Sequence, residues 1–347
     1  MTKFYSSLIV GIAVLAGLIL ALNVFALTLS PPLYEIGAMP GQTLKTGLKV
    51  FNETDKAGSF YFEAQNFTAE GEEGDPYFVT EIDKEGLASW IELPDLIYLE
   101  PGELKQVEFI IKVPENADPG GHYAAIFLST SPPSAEGAGA VGVAAKIGSL
   151  VLLRIGGEII EQGKLIEFGL ADGKRLFEHL PIDFLVRIEN LGTVHIKPAG
   201  TIEIRNIFGI KTEEIKVNIA KMPDGKERPV GNILPESVRK FESSWQAGLP
   251  AGQAGEAENQ PETFWQKVKL EKENLALGRY EAKLNLDYGA ENDKKITAVL
   301  SFWVFPWHLI LVSFIVLVLA LALLVFTVRG YNRWIIKKAM ANKEKLT

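Results

Sequence analysis

Residues 309–328 form an unbroken run of twenty without a charged side chain, close to the C-terminal end of the sequence. Only Ser313 and Thr327 interrupt its Leu, Val, Ile, Ala and Phe. As a helix the run rises about 30 Å, the thickness of a bilayer's hydrocarbon core. A core helix of a soluble domain would keep a polar face over that length, and this run has none. A transmembrane helix is therefore predicted over 305–328, followed by a basic tail over 329–347.

The flanks give it a direction. Arg329, Arg333, Lys337, Lys338, Lys343 and Lys345 follow the run, against the single acid Glu344. An excess of bases marks the cytoplasmic side, so the tail is expected in the cytoplasm and everything before the run outside it. Trp303 and Trp307 suit an outer interfacial belt, with Tyr331 and Trp334 on the inner side. Trp303, Trp307, Arg329, Arg333, Lys337 and Lys338 are thus the expected anchoring and orienting residues.

The N-terminal end agrees. Lys3 precedes an apolar stretch over residues 8–22, and Val24-Phe25-Ala26 places small residues at −3 and −1 of a cleavage site between Ala26 and Leu27. That is the layout of a secretory signal peptide over 1–26. An uncleaved N-terminal anchor is the rival reading, and either one exports the middle of the chain. The expected location is the cell membrane, single-pass, with an extracellular ectodomain.

With the two ends set aside, 28 basic and 42 acidic residues remain, a balance of −14. Nucleic acid and anionic headgroups call for clustered Lys and Arg, so neither is expected as a partner of this ectodomain. There is no cysteine, which removes disulfides, thiolate zinc sites and cysteine nucleophiles. Exported domains of this kind must hold together by packed cores.

The middle reads as strands. Leu44, Thr46, Leu48 and Val50 alternate with Lys45, Gly47 and Lys49, the period of a strand with one wet face. Phe60, Phe62 and Ala64 repeat the pattern, then Val107, Phe109 and Ile111. Trp90-Ile91-Glu92-Leu93 and Ile97-Tyr98-Leu99 read as short extended pieces around Pro94. A strand follows over 122–130, then a small-residue loop over 131–140 and a last strand over 141–155. Turn signals about every ten residues indicate a β-sandwich. A Pro-Gly step before Tyr123 suggests a tyrosine packed at a sandwich corner.

A second set follows. Ile182, Phe184, Val186 and Ile188 alternate up to the turn Asn190-Leu191-Gly192, and Tyr280, Ala282, Leu284 and Leu286 alternate later. Leu234-Pro235-Glu236-Ser237-Val238-Arg239-Lys240-Phe241 mirrors Leu99-Glu100-Pro101-Gly102-Glu103-Leu104-Lys105, and Leu277-Gly278-Arg279-Tyr280 mirrors Pro119-Gly120-Gly121-His122-Tyr123. Matches in the same order suggest two related domains. The expected fold class is all-β, with tandem Ig-like β-sandwich domains over 27–158 and 159–304. Residues 247–261, rich in Gly and acids, read as a surface loop.

These motifs, with the architecture around them, resemble the WxL-interacting proteins, surface proteins of monoderm bacteria. The resembling stretches are Leu99-Glu100-Pro101-Gly102, Val113-Pro114 through Gly121-His122-Tyr123-Ala124-Ala125-Ile126, Glu189-Asn190-Leu191-Gly192-Thr193-Val194-His195 through Pro198-Ala199-Gly200, and Leu234-Pro235-Glu236-Ser237 through Trp245. The resemblance implies a first domain that contacts peptidoglycan and a second that contacts a protein ligand. The sequence departs from that pattern at the loop over 247–261. Trp307-His308-Leu309 spells W-x-L, but at a membrane boundary it reads as interfacial aromatics.

Catalytic patterns are missing. The four histidines, His122, His179, His195 and His308, form no HExxH arrangement, and no Gly-x-Ser-x-Gly elbow occurs. The glycine-rich stretch over 137–142 has no helix after it, so a dinucleotide loop fails on context. Glu72-Glu73 and Glu213-Glu214 read as solvated turn charge. The sequons at Asn52 and Asn66 are given no role. No cofactor or metal is expected. The expected function is a membrane-anchored surface binding or scaffold protein, holding cell-wall polymer (peptidoglycan), a surface protein, or both. A structural subunit of a larger membrane assembly and a cell-wall hydrolase are the alternatives.

Overall fold

The computed structural model describes residues 27–79, 85–132, 146–246 and 263–344, with side chains as far as Ile336. The expected signal peptide with Ala26, the loop over 247–261, residues 133–145 and the side chains of Lys337 and Lys338 lie outside the described residues. The chain is predominantly β and ends in a long apolar helix. It divides into two compact units, residues 1–70 with 76–160 and residues 71–75 with 161–347.

The first unit holds β1 (Leu27–Ser30), β2 (Leu33–Ala38), β3 (Thr43–Asn52), β4 (Gly58–Glu70), β5 (Asp75–Phe78), α1 (Leu87–Trp90), β6 (Ile91–Glu92), β7 (Leu96–Leu99), β8 (Leu104–Lys112), β9 (Gly120–Ser129) and β10 (Lys146–Ile155). One sheet runs β1-β3-β8-β6 and the other β2-β10-β9-β4-β5, with β7 beside β4. Both sheets feed one core: Leu48, Val50, Phe109 and Ile111 come from the first, and Ile126, Leu128, Val151 and Leu153 from the second. The alternation read in β3 is what buries Leu48 and Val50 while Lys45 and Lys49 stay wet. Trp90, expected in an extended piece, instead closes the one-turn helix α1, which buries Leu87.

The second unit holds β11 (Gly163–Leu170), β12 (Leu176–Phe177), β13 (Ile182–Asn190), β14 (Ala199–Asn206), β15 (Lys211–Val217), β16 (Ile219–Lys221), β17 (Glu227–Pro229), β18 (Val238–Trp245), α2 (Phe264–Glu273), β19 (Gly278–Tyr288), β20 (Lys294–Val304) and α3 (Trp307–Glu344). Its sheets run β11-β13-β18 and β12-β20-β19-β14-β15. Strand β13 buries Ile182, Phe184, Val186 and Ile188, facing Ile202, Ile204, Ala282, Leu284 and Phe302 of the other sheet.

The units share a wiring. In each, the first strand pairs antiparallel with the third, β1 with β3 and β11 with β13. In each, the second strand crosses to the other sheet and pairs parallel with the last, β2 with β10 and β12 with β20.

Register corrects one matched motif. Gly120 pairs with Ile155, the last residue of β10, and Gly278 with Val304, the last residue of β20. Counting on, His122 and not Tyr123 stands where Tyr280 stands. The Tyr280 hydroxyl accepts the Leu277 N–H at 3.2 Å, whereas the His122 ring lies 2.9 Å from the Asp118 carbonyl through Nε2. Tyr123, one residue on, falls on the opposite face beside Phe67.

Candidate functional site at the root of the apolar helix

Strand β20 ends at Val304, and only Phe305 and Pro306 separate it from α3. Within the stretch from Trp307 to Ile336 the most apolar eighteen residues have a mean hydropathy of 3.4, and none of them is buried. By length and composition it is the one described helix able to cross a membrane. The helix begins at Trp307 and continues through Glu344, so the stretch read as a tail is helical to that point. Arg329 and Arg333 are exposed along it.

A helix start leaves N–H groups without intrahelical partners. Here each one is met. Trp307 N–H donates to the Phe305 carbonyl at 2.8 Å, and Ile310 N–H makes the first helical bond, to the Pro306 carbonyl at 3.1 Å. Pro306, which precedes the helix, has no side-chain oxygen to cap with. The Glu271 carboxylate from α2 caps instead, accepting His308 N–H at 3.4 Å and Leu309 N–H at 2.6 Å. Negative charge suits that end of the helix dipole.

Glu271 is fully buried and His308 is 3% exposed. The His308 ring turns back on the same carboxylate, with Nδ1 at 2.6 Å from Glu271 Oε1. A carboxylate oxygen accepts, so Nδ1 donates. A buried carboxylate is costly unless it is bonded, and three N–H groups meet this one.

Glu178, one residue past β12, extends the cluster. It accepts the Trp307 indole N–H at 3.0 Å and the Lys267 ammonium at 3.1 Å. The bond from Trp307, then those of Lys267, hold its carboxyl below the usual carboxylate range against the opposing effect of desolvation. Trp307 therefore spends its indole N–H on Glu178, whereas a residue of an interfacial belt would turn it to the headgroups. Trp303, in β20, is half-exposed beside Arg279 and Leu176. Tyr331 and Trp334 stack at 6.1 Å on the exposed helix.

Helix α2 makes this arrangement possible. Thr263-Phe264-Trp265-Gln266 is a capping box, with Thr263 Oγ1 accepting Gln266 N–H at 3.4 Å and Gln266 Oε1 accepting Thr263 N–H at 2.7 Å. Phe264 packs on His308 and Trp307 at ring distances of 5.3 and 6.4 Å, so one turn later Lys267 and then Glu271 face the helix root. The Thr-x-x-Gln pattern of the capping box is the one local signal in the sequence for α2.

Glu178, Glu271 and His308 offer ligand atoms within 4.8 Å of one another. Two of the three already have charged or N–H partners. Glu271 holds three N–H groups, and Lys267 puts a cation on Glu178. The geometry fits a charge-assisted clamp on a helix start better than a metal centre. His122 packs against Trp90 with the rings tilted and their centres 4.7 Å apart, a structural setting. Asn52 of the first sequon is fully buried, and both it and Asn66 spend their side-chain amides on backbone groups.

No family model matches the chain, and no curated protein matches it. Among solved structures, the class 5 fimbriae chaperone CfaA is similar at 12% identity over 79% of this chain and 98% of that one, with a TM-score of 0.36. The E. coli chaperone DraB is similar at 13% identity over 81% and 98%, with a TM-score of 0.33. A chain of the Salmonella enterica SafA pilin–SafB chaperone complex is similar at 11% identity over 81% and 99%, with a TM-score of 0.35.

Proposed function

We propose that the chain is a single-pass, membrane-anchored binding protein of the cell surface, presenting two tandem Ig-like sandwiches outside the membrane and taking no part in covalent chemistry. One observation carries this reading. The last strand of the second sandwich passes through two residues into an exposed apolar helix, and a buried Glu271–His308 pair clamps that helix onto the sandwich. A clamp of this kind suits a domain held upright on its anchor. The titratable side chains drawn together at the root serve as helix cap and ion pair, which supports a binding role over a catalytic one.

The resemblance to WxL-interacting proteins supplies the partner classes, peptidoglycan for the first domain and a surface protein for the second. Sandwich edge strands are the ready docking sites, since an edge can accept an added strand. The test is retention of the detergent-solubilised full chain on purified cell-wall sacculi and, in parallel, on the solubilised surface proteome. Retention on sacculi, or of one defined protein, is expected. Retention by neither overturns the binding reading.

A further inference from the structure

We infer that the end of the second unit from which α3 leaves is itself a membrane-docking surface, with the β14–β15 hairpin tip inserted into the interfacial layer of the bilayer. The inference rests on the proposed anchoring and adds a second contact to it.

Register places the tip. Strand β14 ends at Asn206, which pairs with Tyr280 of β19, and Tyr280 pairs with Phe302, two residues before β20 ends at Val304. The tip over 207–210, the approach to β19 and the exit into α3 therefore share one end of the same sheet. Turn tips favour Gly, Asn, Asp and Ser because such residues supply the needed dihedrals or local hydrogen bonds. This one reads Ile207-Phe208-Gly209-Ile210, and Phe208 is 82% exposed. Its shape is set in advance: the Asn206 side-chain oxygen accepts both Phe208 N–H and Ile210 N–H at 3.0 Å, and Gly209 takes the positive φ of 74° that closes the turn.

Other apolar groups join it. Leu277 precedes Gly278, which pairs with the last residue of β20, and Trp303 is next to last in that strand. Trp265 sits in the first turn of α2, beside Phe264, which packs on the root of α3. Leu277, Trp303 and Trp265 are all exposed. A soluble domain seldom gathers this much bare apolar surface without a partner for it.

Chain length identifies the partner as lipid. Three residues from Val304 to Trp307 reach at most about 10 Å, and the uncharged run begins at Leu309. This end of the sheet therefore meets the headgroup layer whenever α3 spans, and aromatic side chains favour that depth. Charge does little to drive it: Arg205 just before the tip is paired with Glu203, and Lys211 just after it with Glu214. Docking is apolar and insensitive to salt.

The chain has no cysteine, so single thiols can be introduced and labelled with an environment-sensitive fluorophore in the full chain. The probe positions are Phe208→Cys and Ile210→Cys at the tip, Glu291→Cys in the β19–β20 turn at the opposite end of the sheet, and Leu317→Cys inside the apolar helix. Vesicles of phosphatidylcholine and phosphatidylglycerol carry quenchers at shallow or deep positions. Both tip probes are expected to emit blue-shifted light and to be quenched several-fold more than Glu291→Cys by the shallow quencher, at low and high salt alike. Leu317→Cys is expected to respond to the deep one. Tip probes that behave like Glu291→Cys while Leu317→Cys is quenched overturn the docking and leave the anchoring intact. An unquenched Leu317→Cys overturns both.

Discussion

Asn52 in the first unit and Asn190 in the second make the same set of hydrogen bonds. Each ends the third strand of its unit and is fully buried. Asn52 N–H donates to the Glu103 carbonyl at 3.0 Å and its carbonyl accepts Gly102 N–H at 2.8 Å; for Asn190 the partners are Ser237 at 2.9 Å and Glu236 at 2.9 Å. Each side-chain amide reaches the carbonyl four residues on, Lys56 at 2.9 Å and Val194 at 2.8 Å. Each side-chain oxygen accepts the N–H two residues on, Thr54 at 3.1 Å and Gly192 at 2.9 Å. In both units a buried asparagine ties two turns together, and these bonds shift the motif match by one residue: Gly102 stands where Glu236 stands, and Glu103 where Ser237 stands.

Asn52→Ala and Asn190→Ala each strand several buried backbone groups. Losses of about 2–4 kcal/mol are expected for either, since each unsatisfied group costs about 1–3 kcal/mol. Urea unfolding of the detergent-solubilised chain reads the loss. A change below about 0.5 kcal/mol at either site removes the proposed role.

Gly102 and Glu236 share the donor position but not the residue type. Their φ values are 70° and 59°, a region that an L side chain occupies at a cost of about 1–2 kcal/mol. Gly102→Ala is expected to destabilise by about 1 kcal/mol, while Glu236→Gly stabilises by about 0.5 kcal/mol after the entropy glycine adds to the unfolded chain. Thermal or urea midpoints moving in opposite directions are the sign to look for.

Glu271→Ala removes the cap of α3 and strands the His308 ring and two backbone N–H groups. A cost of about 3 kcal/mol is expected, with hydrogen exchange at His308 and Leu309 accelerated while the core strand β13 stays protected. Glu271→Gln, which keeps one acceptor, should fall between the variant and the parent. Unchanged exchange at Leu309 in Glu271→Ala contradicts the clamp.

Glu178 gives a pH dependence. Its folded-state carboxyl is held below the usual range, so its contribution is present above the ordinary carboxylate value and is lost as pH falls through the lowered one. Stability should decline more steeply on acidification for the parent than for Glu178→Gln, measured by urea unfolding between about pH 6 and about pH 3. Partial exposure of the carboxylate keeps the effect small. Identical slopes would remove Glu178 from the cluster's electrostatics.

Strands were legible in the sequence because their pattern has period two and their buried faces are continuous. The alternations in β8, β13 and β19 match burial along the strand, and that in β3 does so from Leu48 to Val50. Other features were not legible for physical reasons. Helix α2 carries no apolar stripe at helical spacing, so only its capping box marked it. The tyrosine match slipped by one because two glycines precede His122, and a slip of one in a strand turns a side chain to the other face. The Glu271–His308 pair joins residues 37 apart on different helices, and no local pattern announces such a contact.

Side-specific labelling of intact cells tests the anchoring most directly. Single cysteines at Glu291 in the β19–β20 turn and at Asn342 near the chain's end are exposed in turn to a membrane-impermeant thiol reagent, before and after permeabilisation. Reaction of Glu291→Cys in intact cells, with Asn342→Cys reacting only after permeabilisation, is the expected result. Both positions reacting in intact cells, or neither, would contradict a single-pass chain with its sandwiches outside.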